Sequence, residues 1–218
     1  MSDTGTHDPQ HGLEAILRRG PVMPVVVIDD AAQALPLARA LLAGGIRSIE
    51  ITLRTPAALG AIRAIAAGVD GMAVGAGTVL SPADLEAAAR AGAHFAVSPG
   101  STPALRAATA DRALPWLPGA ATASEVMALR EAGYRLQKFF PAAAAGGVAL
   151  LRSLHGPLPD VRFCPTGGIS AETAPDWLAL SDVVCVGGSW LTPADRLRAA
   201  DWRAIEALAR QAVALRRS

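Results

Sequence analysis

Lys138 is the only lysine in a chain of 218 residues whose other basic residues are all arginine. It lies in Gln137-Lys138-Phe139-Phe140-Pro141, an apolar run that reads as a strand, where a charged side chain is normally excluded. Arginine does not deprotonate in proteins, so it cannot replace a neutral amine as a nucleophile. A solitary lysine in a strand therefore points to addition to a carbonyl and Schiff-base formation. The competing reading is an ammonium that snorkels to the surface on its methylene stem.

A second group comes from Ile49-Glu50-Ile51-Thr52-Leu53-Arg54. Strand alternation puts Glu50, Thr52 and Arg54 on one face and the three aliphatic residues on the other. A carboxylate turned inward needs a partner or a ligand. Either Glu50 and Arg54 form a structural pair, or they serve a substrate. Gly75-Ala76-Gly77-Thr78 ends the next strand. Its glycines permit close approach of ligand or backbone, and the Thr78 hydroxyl either meets a ligand or caps the loop. Ser98-Pro99-Gly100 is a turn signal at a further strand end. Two later strands end in Thr166-Gly167-Gly168-Ile169-Ser170 and Gly187-Gly188-Ser189-Trp190. Backbone amides in such glycine turns can hold an anion without a basic side chain, so a phosphorylated substrate is expected.

These residues need elements that converge them. Short apolar runs alternate with alanine- and leucine-rich stretches along the whole chain. Strands are expected over Val22–Ile28, Ser48–Leu53, Met72–Thr78, Phe95–Ser98, Pro115–Leu117, Leu136–Phe140, Val161–Pro165 and Val183–Gly187. Helices are expected over Ala31–Ala43, Pro56–Ala67, Pro82–Ala91, Pro103–Ala110, Ala123–Ala132, Val148–Leu154, Ala171–Leu180 and Trp202–Arg216. A short helix over Gly12–Arg19 precedes them. Thr55-Pro56, Ser81-Pro82 and Thr102-Pro103 each place a capping hydroxyl before a proline at the first helical position. Gly44-Gly45, Gly68, Gly92 and Gly133 supply stops. Eight strand–helix pairs predict a single-domain α/β fold, a (β/α)8 TIM barrel over 11–218 behind a flexible arm, 1–10. The alternative, an open doubly wound sheet, lacks its glycine fingerprint after the first strand. In a barrel, the strand ends named above form the active-site face.

Composition excludes several classes. A formal net charge of +1 offers no basic face for a nucleic acid. No apolar run reaches the roughly 18 residues needed to span a bilayer, and the polar start lacks a signal core, so a cytoplasmic protein is expected, with no membrane partner. Cys164 and Cys185 read as small buried hydrophobes. No Cys–His pair has zinc-ligand spacing, His7 and His11 fall in the arm, and neither a metal nor a cofactor is expected.

The segments Glu50-Ile51-Thr52-Leu53-Arg54-Thr55, Gly75-Ala76-Gly77-Thr78-Val79-Leu80, Ser98-Pro99-Gly100, Lys138-Phe139-Phe140-Pro141-Ala142, Arg162 to Ile169 and Gly187 to Leu191 resemble, in order and spacing, the 2-keto-3-deoxy-6-phosphogluconate (KDPG) aldolase family. The resemblance covers essentially the whole chain after the arm. It implies a class I aldolase of the Entner–Doudoroff pathway, releasing pyruvate and glyceraldehyde 3-phosphate, often active on 4-hydroxy-2-oxoglutarate, and usually a homotrimer. It implies Lys138 as Schiff-base lysine and Glu50 as proton shuttle. Arg54 and Thr78 would hold the pyruvyl carboxylate, Pro99 and Phe140 would wall the pocket, and Thr166, Gly167, Gly168, Gly188 and Ser189 would complete the substrate site, its glycines and Ser189 taking the phosphate. Members commonly have Pro-Ala-Glu after the lysine motif; here the run is Pro141-Ala142-Ala143. Left open are the galactonate-epimer aldolase, a phosphosugar isomerase without a Schiff base, and a barrel that binds phosphate without catalysis.

Overall fold

The structure, a computed structural model, describes residues 10, 12–110 and 114–215. Residues 1–9 of the expected arm, with His7, lie outside them, as do His11 and Arg216. Its strands are β1 (Val22–Val26), β2 (Ser48–Thr52), β3 (Ala73–Gly77), β4 (Phe95–Val97), β5 (Trp116–Leu117), β6 (Gly119–Ala120), β7 (Leu136–Phe139), β8 (Arg162–Pro165) and β9 (Val186–Gly188). Its helices are α1 (Leu13–Leu17), α2 (Ala34–Ala43), α3 (Ala58–Gly68), α4 (Pro82–Arg90), α5 (Pro103–Ala110), α6 (Ala123–Glu131), α7 (Gly147–His155), α8 (Ala174–Leu178), α9 (Ala194–Arg198) and α10 (Trp202–Val213). This is an α/β fold on a curled parallel sheet.

Six strands run in the order β5-β4-β3-β2-β1-β9, and β6-β7-β8 form a second sheet. Every pairing between named strands is parallel. The fifth expected strand, Pro115–Leu117, is present as β5, and an unanticipated short strand, β6, follows it across Pro118, which has no N–H to give to a ladder. The Pro118 carbonyl still accepts from the Lys138 amide at 2.8 Å. Beyond β8, single bridges join Phe163 to Val183 and Thr166 to Gly187. Between them Cys164 and Pro165 face Val184, Cys185 and Val186, an extra residue on one side. That bulge shortens β9 to Val186–Gly188, against the expected start at Val183.

Alternation sorts the side chains into two apolar layers. Ile49, Ile51, Val74, Phe139 and Phe163 pack outward under the helices. Met23, Phe95, Val97, Leu117, Leu136, Cys164 and Cys185 form a separate inner cluster with Leu13 and Leu17 of α1. The short N-terminal helix thus plugs one end of the concave face. Gln10 is tied down in the same region: its side-chain amide donates to the Trp116 and Leu136 carbonyls at 3.0 and 2.7 Å, and its oxygen accepts from the Leu136 amide at 2.8 Å. The expectation of a flexible arm therefore does not extend to Gln10, whose amide replaces water for three backbone groups.

Helix starts follow local chemistry. Ser81 and Asp84 form a capping box on α4, as do Thr122 and Glu125 on α6, and the Thr102 hydroxyl accepts from the Leu105 amide at 3.2 Å. Thr55 departs from expectation. Its hydroxyl donates to the Ile28 carbonyl at 2.5 Å, tying two strand ends together, and α3 begins only at Ala58. The short helix α9 was not anticipated. Cys164 and Cys185 are buried as expected, with sulfurs 3.5 Å apart.

Candidate active site

Lys138 occupies the third position of β7, between Gly119 and Cys164 in register. Leu136 shares its inward face, while Gln137 turns outward and donates to the Val126 and Tyr134 carbonyls. The amine does not snorkel: Lys138 is 5% exposed. Its Nζ lies 3.3 Å from Glu50 Oε1 and 5.4 Å from the centre of the Phe140 ring. Glu50, 3% exposed, reaches it from the middle of β2. The carboxylate's ion-pair partner is thus the lysine, and the alternative of a Glu50–Arg54 pair is set aside. A buried amine and carboxylate at this distance can pass a proton to and from one reacting atom set between them.

Arg54 lies past the end of β2 and its Nε donates to the Thr78 hydroxyl at 3.3 Å. Thr78 has φ 58°, a left-handed conformation unusual for a β-branched residue and of the kind found where strain is held at functional sites. Its geometry presents the hydroxyl to Arg54 instead of capping α4, a task already filled by Ser81. Pro99 sits in a loop anchored by the Ser98 hydroxyl, which donates to the Gly100 carbonyl at 2.6 Å and accepts from Trp116 Nε1 at 3.0 Å. The Pro99 carbonyl lies directly over Gly119, where a Cβ would come within 2.2 Å of it.

A cleft of about 140 Å³ opens next to these residues, lined by Arg54, Phe140, Thr166, Gly167, Gly168 and Ser189 among others. Gly167 and Gly168 have φ 104° and 73°, a succession that can turn neighbouring amides toward an anion. The Ala142 and Ala143 amides donate to the Thr166 and Gly167 carbonyls at 2.8 and 3.0 Å. The loop after β7 is thereby zipped to the glycine turn. Thr166 stands against Gly187, where a Cβ would lie 2.3 Å from its hydroxyl oxygen.

Five anticipated residues are not in the cleft lining: Lys138, Glu50, Thr78, Pro99 and Gly188. Gly188 is buried in register with Pro24 and lies against the Trp190 ring, outside the cleft lining. Its neighbour Gly187 lines the cleft instead. Lys138 and Glu50 are not in that lining, but Phe140, which is, has its ring centre 5.4 Å from Lys138 Nζ. Sequence reasoning missed Val25, Val27 and Ile169 as lining residues, whereas Gly187 belongs to a glycine turn it singled out. For the two valines the signal was present: they continue the inward alternation of Met23, and Val27 is 40% exposed. Among the described residues no cluster of three or more His, Cys, Asp or Glu side chains is placed to hold a metal.

The chain is similar to proteins whose chemistry matches this arrangement. It is 52% identical over 200 residues to the KHG/KDPG aldolase of Escherichia coli K12, covering 92% of this chain and 94% of the relative. A crystal structure of KDPG aldolase from Legionella pneumophila, with pyruvate captured as a covalent carbinolamine, matches with a TM-score of 0.90 and 43% identity over 92% of this chain and 98% of that one. The Zymomonas mobilis ZM4 KDPG aldolase with 3-phosphoglycerate matches with a TM-score of 0.91 and 44% identity, covering 96% and 98% of the two chains. The family model for KDPG and KHG aldolase matches residues 13–208, and with these relatives it places the chain in the KDPG and KHG aldolase family.

Proposed function

We propose that this chain is a class I aldolase that cleaves 2-dehydro-3-deoxy-6-phosphogluconate to pyruvate and glyceraldehyde 3-phosphate, and also accepts 4-hydroxy-2-oxoglutarate. The observation that carries the reading is a buried lysine 3.3 Å from a buried carboxylate beside a glycine-rimmed cleft. The Lys138 amine adds to the C2 carbonyl to give a carbinolamine, and Glu50 moves the protons as water leaves to form the iminium. That iminium takes up the electron pair of the breaking C3–C4 bond while Glu50 accepts the C4 hydroxyl proton, releasing the aldehyde and leaving the enamine. Protonation at C3 and hydrolysis return pyruvate and free amine. Arg54 and Thr78 hold the carboxylate, Pro99 and Phe140 wall the pocket, and Thr166, Gly167, Gly168, Gly188 and Ser189 serve the remainder, the phosphate above all. For Gly188 this means its backbone alone, since it lies outside the cleft lining.

In the same reading the two sheets close into one eight-stranded barrel, with β5 and β6 as a single strand broken at Pro118 and the bridges to β8 as the other seam. The active assembly is a cytoplasmic homotrimer, which sedimentation velocity tests for its subunit number. No described helix is long and apolar enough to cross a membrane. The relatives' names favour the gluconate-derived acid over its galactonate epimer. Pyruvate release from each acid, followed through lactate dehydrogenase, tests the assignment. The gluconate-derived acid is expected to be preferred, and Lys138→Arg to lose at least about 10³-fold in kcat, because no Schiff base can form. An arginine variant that kept its activity would overturn the Schiff-base reading.

A further inference from the structure

The inner face of β3 carries almost no side chains: Ala73, Gly75 and Gly77 alternate along it. The space over each glycine is taken by a different neighbour. A Cβ on Gly75 would meet the Phe95 ring at 2.3 Å. A Cβ on Gly77 would meet Glu50 at three atoms: Oε1 at 2.2 Å, Cγ at 2.6 Å and Cδ at 2.7 Å. Register makes the second contact informative. Glu50 pairs with Gly75, while Gly77 pairs with Thr52. The Glu50 side chain therefore does not project straight across from its own position. It leans one step along β3 toward the strand's carboxyl end and rests on the bare Cα of Gly77. The space beside its register partner is already filled by Phe95. From that seat its Oε1 meets Lys138 Nζ at 3.3 Å.

We infer that Gly77 is a positioning residue for the aldol chemistry, its missing side chain being the seat that aims the Glu50 carboxylate at Lys138. This rests on the Schiff-base reading above. Backbone freedom is not the reason for glycine here, since Gly77 does not have positive φ. The atoms in conflict belong to the outer part of a flexible side chain, so an alanine can be accommodated by moving the carboxylate while the fold persists. The expected consequence is a folded enzyme with a misplaced acid–base group. Gly75 is the contrast, because a buried aromatic ring cannot move aside so cheaply. Gly75→Ala should act on stability first.

The test is a double-mutant cycle between Gly77→Ala and Glu50→Gln, measured as kcat, KM and the pH profile of kcat on the keto-acid. Gly77→Ala is expected to lower kcat about 10²-fold, the lower range for loss of a positioned acid–base group, with KM within about two-fold. Glu50→Gln is expected to lose at least as much, and the double variant no more than Glu50→Gln alone, because the glycine acts only through the carboxylate. The limb of the pH profile removed by Glu50→Gln should also be lost in Gly77→Ala. Additive losses, or wild-type kcat in Gly77→Ala, would overturn the inference. If Gly77→Ala does not fold, Glu50→Ala/Gly77→Ala is compared with Glu50→Ala. Equal melting temperatures uphold the seat, and a persisting loss refutes it. Wild-type enzyme that neither cleaves the keto-acid nor traps pyruvate would instead refute the aldolase reading itself, a result separable from any of these.

Discussion

Two carboxylates among the described residues are buried, and they are held in different ways. Glu50 meets the amine of Lys138. Asp182, 5% exposed, has the His155 ring beside its Oδ2, with Nδ1 at 3.5 Å and neither of those two atoms making a hydrogen bond. Burial raises the Asp182 pKa above its ordinary value of 3.8, and its own backbone amide and His155 oppose the rise only in part. The sign follows from linkage. A carboxyl with a raised folded pKa favours folding below its unfolded value, and that contribution is lost as pH climbs through the folded value. Asp182→Asn removes the titration. The stability of the variant relative to wild type should therefore be greater at neutral pH than below 3.8. Urea denaturation at both pH values checks this, and a pH-independent difference would contradict it. At this scale the sequence was informative where a residue type broke a pattern. Lys138 stood out against uniform arginine, and Glu50 against aliphatic neighbours. Their pairing was not legible, because they lie 88 positions apart and only the curl of the fold brings β2 and β7 together. Asp182 and His155 carried no pattern at all.

Among elements, helices and strands with strong punctuation were readable to within a few residues. Ser81-Pro82 starts α4 as expected, and α5 spans Pro103–Ala110 as expected. The departures share a cause: long-range contacts override local signals. Thr55 gives its hydroxyl to Ile28 and not to a helix, β6 forms beyond Pro118 by pairing with β7, and the bulge at Val184–Cys185 shortens β9. Close approach of backbones is equally invisible to a single sequence. Gly119 is an example, since it is overlain by Pro99 and Gly100 backbone atoms at 2.2 to 2.6 Å from a hypothetical Cβ. Those atoms belong to an anchored loop and cannot swing away as the Glu50 carboxylate can. Gly119→Ala is therefore expected to cost about 1–3 kcal/mol in denaturant unfolding and to displace Pro99. An unchanged midpoint would show that the loop yields freely.

Across the whole molecule, chemistry and stability are drawn from opposite ends of the concave face. Gln10, Leu13 and Leu17 close one end with apolar packing and backbone hydrogen bonds. The other end gathers strand termini that carry Arg54, Thr78, Phe140, Thr166 and the glycine turns. Parallel strands make this division possible, since all their carboxyl ends emerge on one side. Ala143 marks where this chain departs from the common family pattern. It is exposed, zipped to Gly167 by a backbone hydrogen bond, and brings no charge to the glycine turn. The central claim concerns one covalent bond, and it is tested most directly by reducing the protein with sodium borohydride in the presence of pyruvate, followed by intact mass and peptide mapping. The account predicts one pyruvyl adduct per chain, confined to the peptide containing Lys138 and absent from Lys138→Arg. Folded protein that forms no adduct, or carries it elsewhere, would contradict it.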